Sequence, residues 1–255
     1  MNPEYLEIDF NGPIATIALN RPEKLNALSL QMLAEIEQAA DLVAASDARA
    51  VVLSGNGSSF SAGMDLETFS DGVLFQTDND LRYDAASLGG KVADAIERIP
   101  QATVVALQGN VVGGGIVLAS ACDLRVAEEG TVFSIPEIDL GIPLAWGGIK
   151  RLVREIGPAR TREFVMTCRP FTVDEAHAAG FVNNIVGAGE ALAAAMHLAE
   201  TVAAKARLPI TTTKRHVAEI LSGDSSRDDA MGLLAAIEDV ESAALRGEYV
   251  RRFRS

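Results

Sequence analysis

Cysteine, histidine and tryptophan are scarce in this chain of 255 residues, at two, three and one. Cys122 and Cys168 stand apart, in apolar or helical contexts, and give no metal-ligand spacing. They suit a reducing compartment and free, buried thiols. His177, His197 and His216 fall on segments read as helices, again without metal spacing, so surface or helix-face histidines are expected. No Ser/His/Asp set can be assembled from them, which sets covalent hydrolase chemistry aside. Long hydrophobic runs are also missing; the longest are too short or too glycine-interrupted to span a bilayer. Met1 to Asp9 reads as neither a signal peptide nor a basic transit segment. Lysine and arginine together number 22 against 35 acidic residues, a formal net charge of −13. That balance argues against a broad nucleic-acid or anionic-membrane surface. It leaves room for a small anion pocket made of amides and a few cations. The expectation is a cytoplasmic protein.

What the chain has in quantity is apolar residues, 48% of the total, enough for one large domain or a domain with a helical appendage. Leu6–Phe10 and Ile14–Leu19 flank Asn11-Gly12-Pro13 and read as a hairpin. Ser29 can cap a helix from Leu30 to Ala45, with Leu33, Ile36, Ala40 and Val43 at helical spacing. Ala50–Ser54 reads as a buried strand and Leu81–Ile99 as a helix stopped by Pro100. The strand Thr103–Leu107, a glycine-rich turn, a helix to Cys122 and the strand Asp123–Val126 follow. This alternation is the pattern of layered α/β architecture. Beyond Ala188 it changes to three helices, Glu190–Ala206, Pro209–Leu221 and Ser226–Leu245, and the tail Arg251–Ser255 is basic but short. The boundaries expected are therefore 1–188 for the α/β core and 189–255 for a helical C-terminal region.

Two glycine sites carry the chemistry. Gln108-Gly109-Asn110-Val111-Val112-Gly113-Gly114-Gly115 leaves a strand and opens a helix. Three glycines cost backbone entropy and are kept where the backbone must bend sharply or come very close to something. At a helix start they leave amide N–H groups bare for an anion or a developing oxyanion, although a tight turn packed on a neighbour would also use them. Ser59-Phe60-Ser61-Ala62-Gly63-Met64-Asp65-Leu66 follows the strand before it. Two such turns in one layer can bring one amide each to a thioester oxygen as it becomes an enolate.

Phe60–Leu66, Gly109–Gly115, Cys122-Asp-Leu-Arg125, Phe133–Gly141 and Leu19-Asn-Arg-Pro-Glu-Lys-Leu-Asn-Ala-Leu28 together resemble the enoyl-CoA hydratase/isomerase (crotonase) superfamily. Ala176, Gly180 and Val182 fit as helix, glycine and return strand. The order and spacing match over nearly the whole chain. The resemblance implies a crotonase-like spiral of ββα units with near-perpendicular sheets and a C-terminal helical trimerisation region. It implies a homotrimer or dimer of trimers and an acyl-CoA substrate, with no metal or redox cofactor. Met64 and Gly114 would donate the oxyanion amides. Ala62, Asp65, Leu66 and Glu67, with Gly113, would border the coenzyme, as would Lys24, Ala27 and Leu28. Lys24 can meet a phosphate or simply be a solvated lysine, and Glu67 stands where some relatives carry lysine.

Hydratases of this family use two glutamates. Glu137, after Pro136, matches one; the other position is Val117, which can neither orient water nor move a proton. One carboxylate suffices to carry a proton between C4 and C2 of an enoyl thioester, so the resemblance favours an enoyl-CoA isomerase. An enoyl-CoA hydratase and a non-catalytic acyl-CoA binder are the alternatives. An RNA-binding relative is disfavoured by the acidic balance and the lack of a lysine-rich helix. Dienoyl isomerases and dehalogenases carry an aspartate where this chain has Ala145. Asp139 would share a side with Glu137 if the segment were extended, or serve as a turn carboxylate. Trp146 walls the acyl pocket or packs in the core. Leu74–Ala86 is expected to set pocket depth.

Overall fold

Apolar-polar alternation in the first strands closes an antiparallel hairpin, β1 (Leu6–Asn11) and β2 (Ile14–Leu19), paired from Leu6↔Leu19 to Asn11↔Ile14. The structure, a computed structural model, describes residues 3–67, 78–223 and 229–252. A 3-10 turn at Pro22–Lys24 leads to α1 (Leu30–Ala44), where the Ser29 hydroxyl accepts the Met32 amide as predicted. Leu33, Ile36, Ala40 and Val43 recur every three to four residues and are buried, with Met32 beside them. β3 (Ala50–Gly55) and β4 (Ala102–Leu107) are buried at every position, the pattern of parallel strands covered on both faces.

β6 (Leu124–Glu128) and β9 (Asn184–Val186) complete a six-stranded sheet in the order β1-β2-β3-β4-β6-β9, parallel from β2 onward. Its two faces separate along each strand. Ala15, Ile17, Val51, Leu53, Val105 and Leu107 point into the large core beneath α1, α2 (Asn79–Arg98), α3 (Gly114–Ala121) and α4 (Gly148–Thr167). Ile14, Val52, Val104, Ala106 and Val126 point the other way, against α6 (Ala191–Ala203) through Ala191, Ala195 and Ala199. Each fully buried valine, leucine or isoleucine side chain among them contributes about 1.5–3 kcal/mol. The first helix of the C-terminal region thus covers the second face of the core sheet.

Several boundaries and elements differ from the sequence reading. α2 begins at Asn79 because the Asp78 carboxylate accepts the Asp80 and Leu81 amides. The glycine-rich turn contains a strand, β5 (Asn110–Val112), which leaves the large sheet and joins β7 (Val132–Ser134) and β8 (Phe171–Thr172) in a second, three-stranded one. Strands of two or three residues give no alternation to read. After α5 (Val173–Ala178), Gly180 turns the chain as expected, but the return strand opens at Asn184. The helix predicted over Ser226–Leu245 is two, α8 (Asp229–Glu238) and α9 (Val240–Arg252), following α7 (Arg207–Leu221). The Asp239 carboxylate accepts the Ser242 amide at 2.7 Å and starts the second. Residues 74–77 of the depth-setting segment, and 226–228 and 253–255 near the C-terminus, lie outside the described residues.

Candidate active site

Hydrogen bonds on both sides hold the loop after β3 in place. On one side Ser61 N–H donates to Asn110 O at 3.2 Å and Val112 N–H to Ser61 O at 3.0 Å. On the other, Leu28 N–H donates to Gly63 O at 2.8 Å and Asp65 N–H to Leu28 O at 3.1 Å. The loop is therefore an extra strand-like layer between β5 and segment 25–28. Asn26 locks it. This buried amide, in left-handed backbone with φ 54°, donates to Asn56 O and Ser59 O, each at 2.9 Å, and accepts Arg21 N–H at 2.8 Å. The Ser61 hydroxyl donates to Asn26 O at 2.8 Å and accepts Gly63 N–H. Arg21 also pairs with Asp65. Burial pushes the Asp65 carboxyl up, but the Arg21 guanidinium and the Glu67 amide bring it below its ordinary value.

Within this frame some main-chain donors are left over, Met64 N–H and Gly114 N–H among them. Among the described residues, neither Met64 N–H nor Gly114 N–H donates to any group. Both residues line one cavity of ≈ 330 Å³. Gly114 opens α3, whose eight residues are all buried and whose N-cap, Gly113, has no capping side chain. A buried helix start without a cap is costly unless something else takes its N–H groups, and its partial positive charge favours an anionic partner.

Glu137 completes the cavity. It sits in the turn after β7, and its carboxyl lies so close to Gly113 that a β-carbon there would be 3.2 Å from Cδ and nearer still to Oε1. Gly113 itself has φ 46° and ψ −109°, a conformation that only glycine adopts easily. Oε2 of Glu137 is buried and has no hydrogen-bond partner among the described residues. Burial raises its pKa above the usual carboxylate range, opposed by a hydrogen bond from its own amide. Among the described residues it is the one ionisable side chain of the lining. Val117, Leu144, Ala145 and Trp146 make apolar wall.

Of the other predicted residues, Ala62, Leu66 and Gly113 also line the cavity. Lys24, Ala27, Leu28, Asp65 and Glu67 do not line it. The Lys24 ammonium pairs with Glu67 at 2.8 Å, both exposed. Leu28 is fully buried beneath the loop, so its side chain is core. The Ala27 carbonyl accepts from Arg21. The Asp65 carboxylate is engaged by Arg21 and is not free for a ligand. Of the two readings of Asp139, the structure takes the turn, held by Leu140 N–H to Glu137 O and Ile142 N–H to Glu137 O, and Asp139 is exposed outside the cavity. No histidine lines it among the described residues; His177 Nδ1 is occupied by Val182 O at 2.8 Å. The sequence reading missed Asn26, Arg21 and Ser61, whose roles rest on partners thirty or more residues away; the Asn-Arg-Pro…Leu-Asn-Ala run was their one visible signal.

A model of the family described as enoyl-CoA hydratase/isomerase matches residues 9–232. The crotonyl-CoA hydratase of Syntrophomonas wolfei is 32% identical over 245 residues, 92% of this chain and 92% of that protein. The mitochondrial Delta(3,5)-Delta(2,4)-dienoyl-CoA isomerase of Rattus norvegicus is 31% identical over 228 residues, 86% of this chain and 69% of that protein. An enoyl-CoA hydratase/isomerase family protein from Hyphomonas neptunium superposes with a TM-score of 0.90 at 30% identity, covering 97% of this chain and 95% of that one.

Proposed function

The chain belongs to the enoyl-CoA hydratase/isomerase family, a family of enzymes, and on that premise we propose that it moves the double bond of an enoyl-CoA thioester. The thioester oxygen accepts hydrogen bonds from Met64 N–H and Gly114 N–H. Each donor lowers the barrier to the enolate by about 3 kcal/mol. Glu137, as carboxylate, takes a proton from C2 of a 3-enoyl thioester. The electron pair delocalises onto the oxygen as a dienolate, and the same carboxyl group returns the proton to C4. The 2-enoyl thioester leaves, and Glu137 is a carboxylate again. A base with a raised pKa suits a shuttle that must both accept and release. On this reading the coenzyme A thioester is the substrate and no further cofactor takes part.

The observation that carries the reading is the composition of the cavity: one carboxyl group, with an unpartnered oxygen, facing the same space as two unspent amides, with Val117 in the wall. Hydration is the second reading, favoured by the likeness to a crotonyl-CoA hydratase. The assay separates them. Purified protein should generate enoyl absorbance from a 3-enoyl-CoA and remove little of it from crotonyl-CoA. Rapid hydration of crotonyl-CoA, abolished in Glu137→Gln, would establish the hydratase instead. Val117→Glu should add hydration if the rest of the pocket can hold the water. A protein that binds CoA esters but leaves every one of them chemically unchanged would be a binder.

The remaining parts of the reading concern assembly and place. We take the chain to form a homotrimer or a dimer of trimers through helices α7 to α9, which expose Val217, Ile220, Leu233, Leu234, Ile237 and Val240. Among the described residues no helix is long and apolar enough to cross a membrane. Two free, buried cysteines suit the reducing cytoplasm proposed for it.

A further inference from the structure

The single tryptophan occupies a slot cut into two helices. A β-carbon built on Gly89, inside α2, would lie 2.6 Å from Cε3 of Trp146 and still closer to Cδ2 and Cε2. One built on Gly114, at the start of α3, would lie 3.1 Å from Cη2 and closer to Cζ3. Any side chain at either position would displace the ring. A glycine within a helix is unfavourable relative to alanine, and Trp146 itself holds φ 56°, which side-chain-bearing residues rarely adopt. The indole is therefore seated at a cost in three places.

Its seat is also anchored from behind. Arg151, fully buried, donates from Nη1 to the Trp146 carbonyl at 3.1 Å and from Nη2 to Asp94 and Glu97, each at 2.6 Å. Asp94 and Glu97 belong to α2, the helix that supplies Gly89. One helix provides both the slot and, through the ion pairs of the buried Arg151, the anchor of the Trp146 main chain from which the ring projects. The wall next to it is closed. A β-carbon on Gly148 would meet Val117 Cγ2 and Leu144 Cγ, each at 2.9 Å, and both of those side chains are buried. They pack tightly behind the cavity surface.

We propose that Trp146, held between Gly89 and Gly114, is the residue that limits acyl-chain length, and that the substrates are short-chain acyl-CoA thioesters. The proposal rests on the acyl-CoA reading above. The ring edge abuts Gly114, the residue whose amide would hold the thioester oxygen. The carbons that follow the carbonyl therefore meet the indole at once, and Val117 and Leu144 stand behind. A longer chain has to displace a ring that the glycine slot and Arg151 fix in place.

The test uses saturated thioesters, which bind without being isomerised. Affinities of the protein for butyryl-CoA and octanoyl-CoA are measured by calorimetry, with free coenzyme A as the reference for the shared part. The octanoyl-to-butyryl affinity ratio should rise roughly tenfold or more in Trp146→Ala, by the usual worth of methylenes admitted to an apolar pocket. Trp146→Phe, which keeps a ring in the slot and serves if the alanine variant does not fold, should raise it by less. An unchanged ratio in a folded variant overturns the proposal and leaves the acyl-CoA reading standing. Failure of the wild-type protein to bind any of the thioesters overturns both.

Discussion

At the scale of the residue, Glu137 is a liability to the fold and an asset to the chemistry. Burial keeps its carboxyl protonated to a higher pH than in the unfolded chain. The raised folded pKa means that its contribution is most favourable below the unfolded value of about 4.3 and is lost as pH rises through the folded value. Glu137→Gln should abolish double-bond migration and raise Tm at pH 8, by roughly 2–4 °C for each kcal/mol recovered. The gain should shrink as pH falls toward 4; thermal melts showing the same gain at both pH values would contradict this. For the wild-type enzyme, kcat/KM should rise with pH along an acid limb lying above the ordinary carboxylate range. That Glu137, Met64 and Gly114 meet at one cavity was legible in the sequence because each sits in a local motif. The occupation of Asp65 by Arg21 was not, because an ion pair spanning 44 positions leaves no local signature.

At the scale of the element, the site depends on how the loop after β3 is held between β5 and segment 25–28. Asn26 is the fastening common to that segment, Asn56, Ser59 and Arg21. Asn26→Ala should leave these groups without protein partners, cost about 3 kcal/mol in urea denaturation, and lower kcat by loosening the Met64 amide. Loss of stability with kcat intact would mean that the loop is held by its backbone bonds alone. Helices and long buried strands could be read from periodicity and caps: Ser29 began α1 where expected. The small sheet could not, since β5, β7 and β8 are too short to show a period. The break between α8 and α9 was hidden because Asp239 fits a helical pattern until its carboxylate turns to cap Ser242.

At the scale of the whole molecule, the alternation of strands and helices announced an α/β layer, and the chain folds into one, while the strand order of its sheet was not readable from the alternation. The role of α6 was not legible, because an alanine-rich helix fits a sheet face as readily as another helix. The exposed apolar side chains on α7 to α9 are what a partner chain would cover. Sedimentation equilibrium should give three or six times the 26.9 kDa chain mass; a stable monomer at micromolar concentration would contradict that assembly. The account as a whole stands on two amides and one carboxyl group moving a proton without adding water. The most direct test is mass spectrometry of a 3-enoyl-CoA incubated with the protein in deuterated water, beside the Glu137→Gln variant. The account predicts the 2-enoyl isomer, with deuterium entering at carbon wherever the carboxyl proton exchanges before return, and no reaction in the variant. A product heavier by one water, or isomerisation that persists without Glu137, would contradict it.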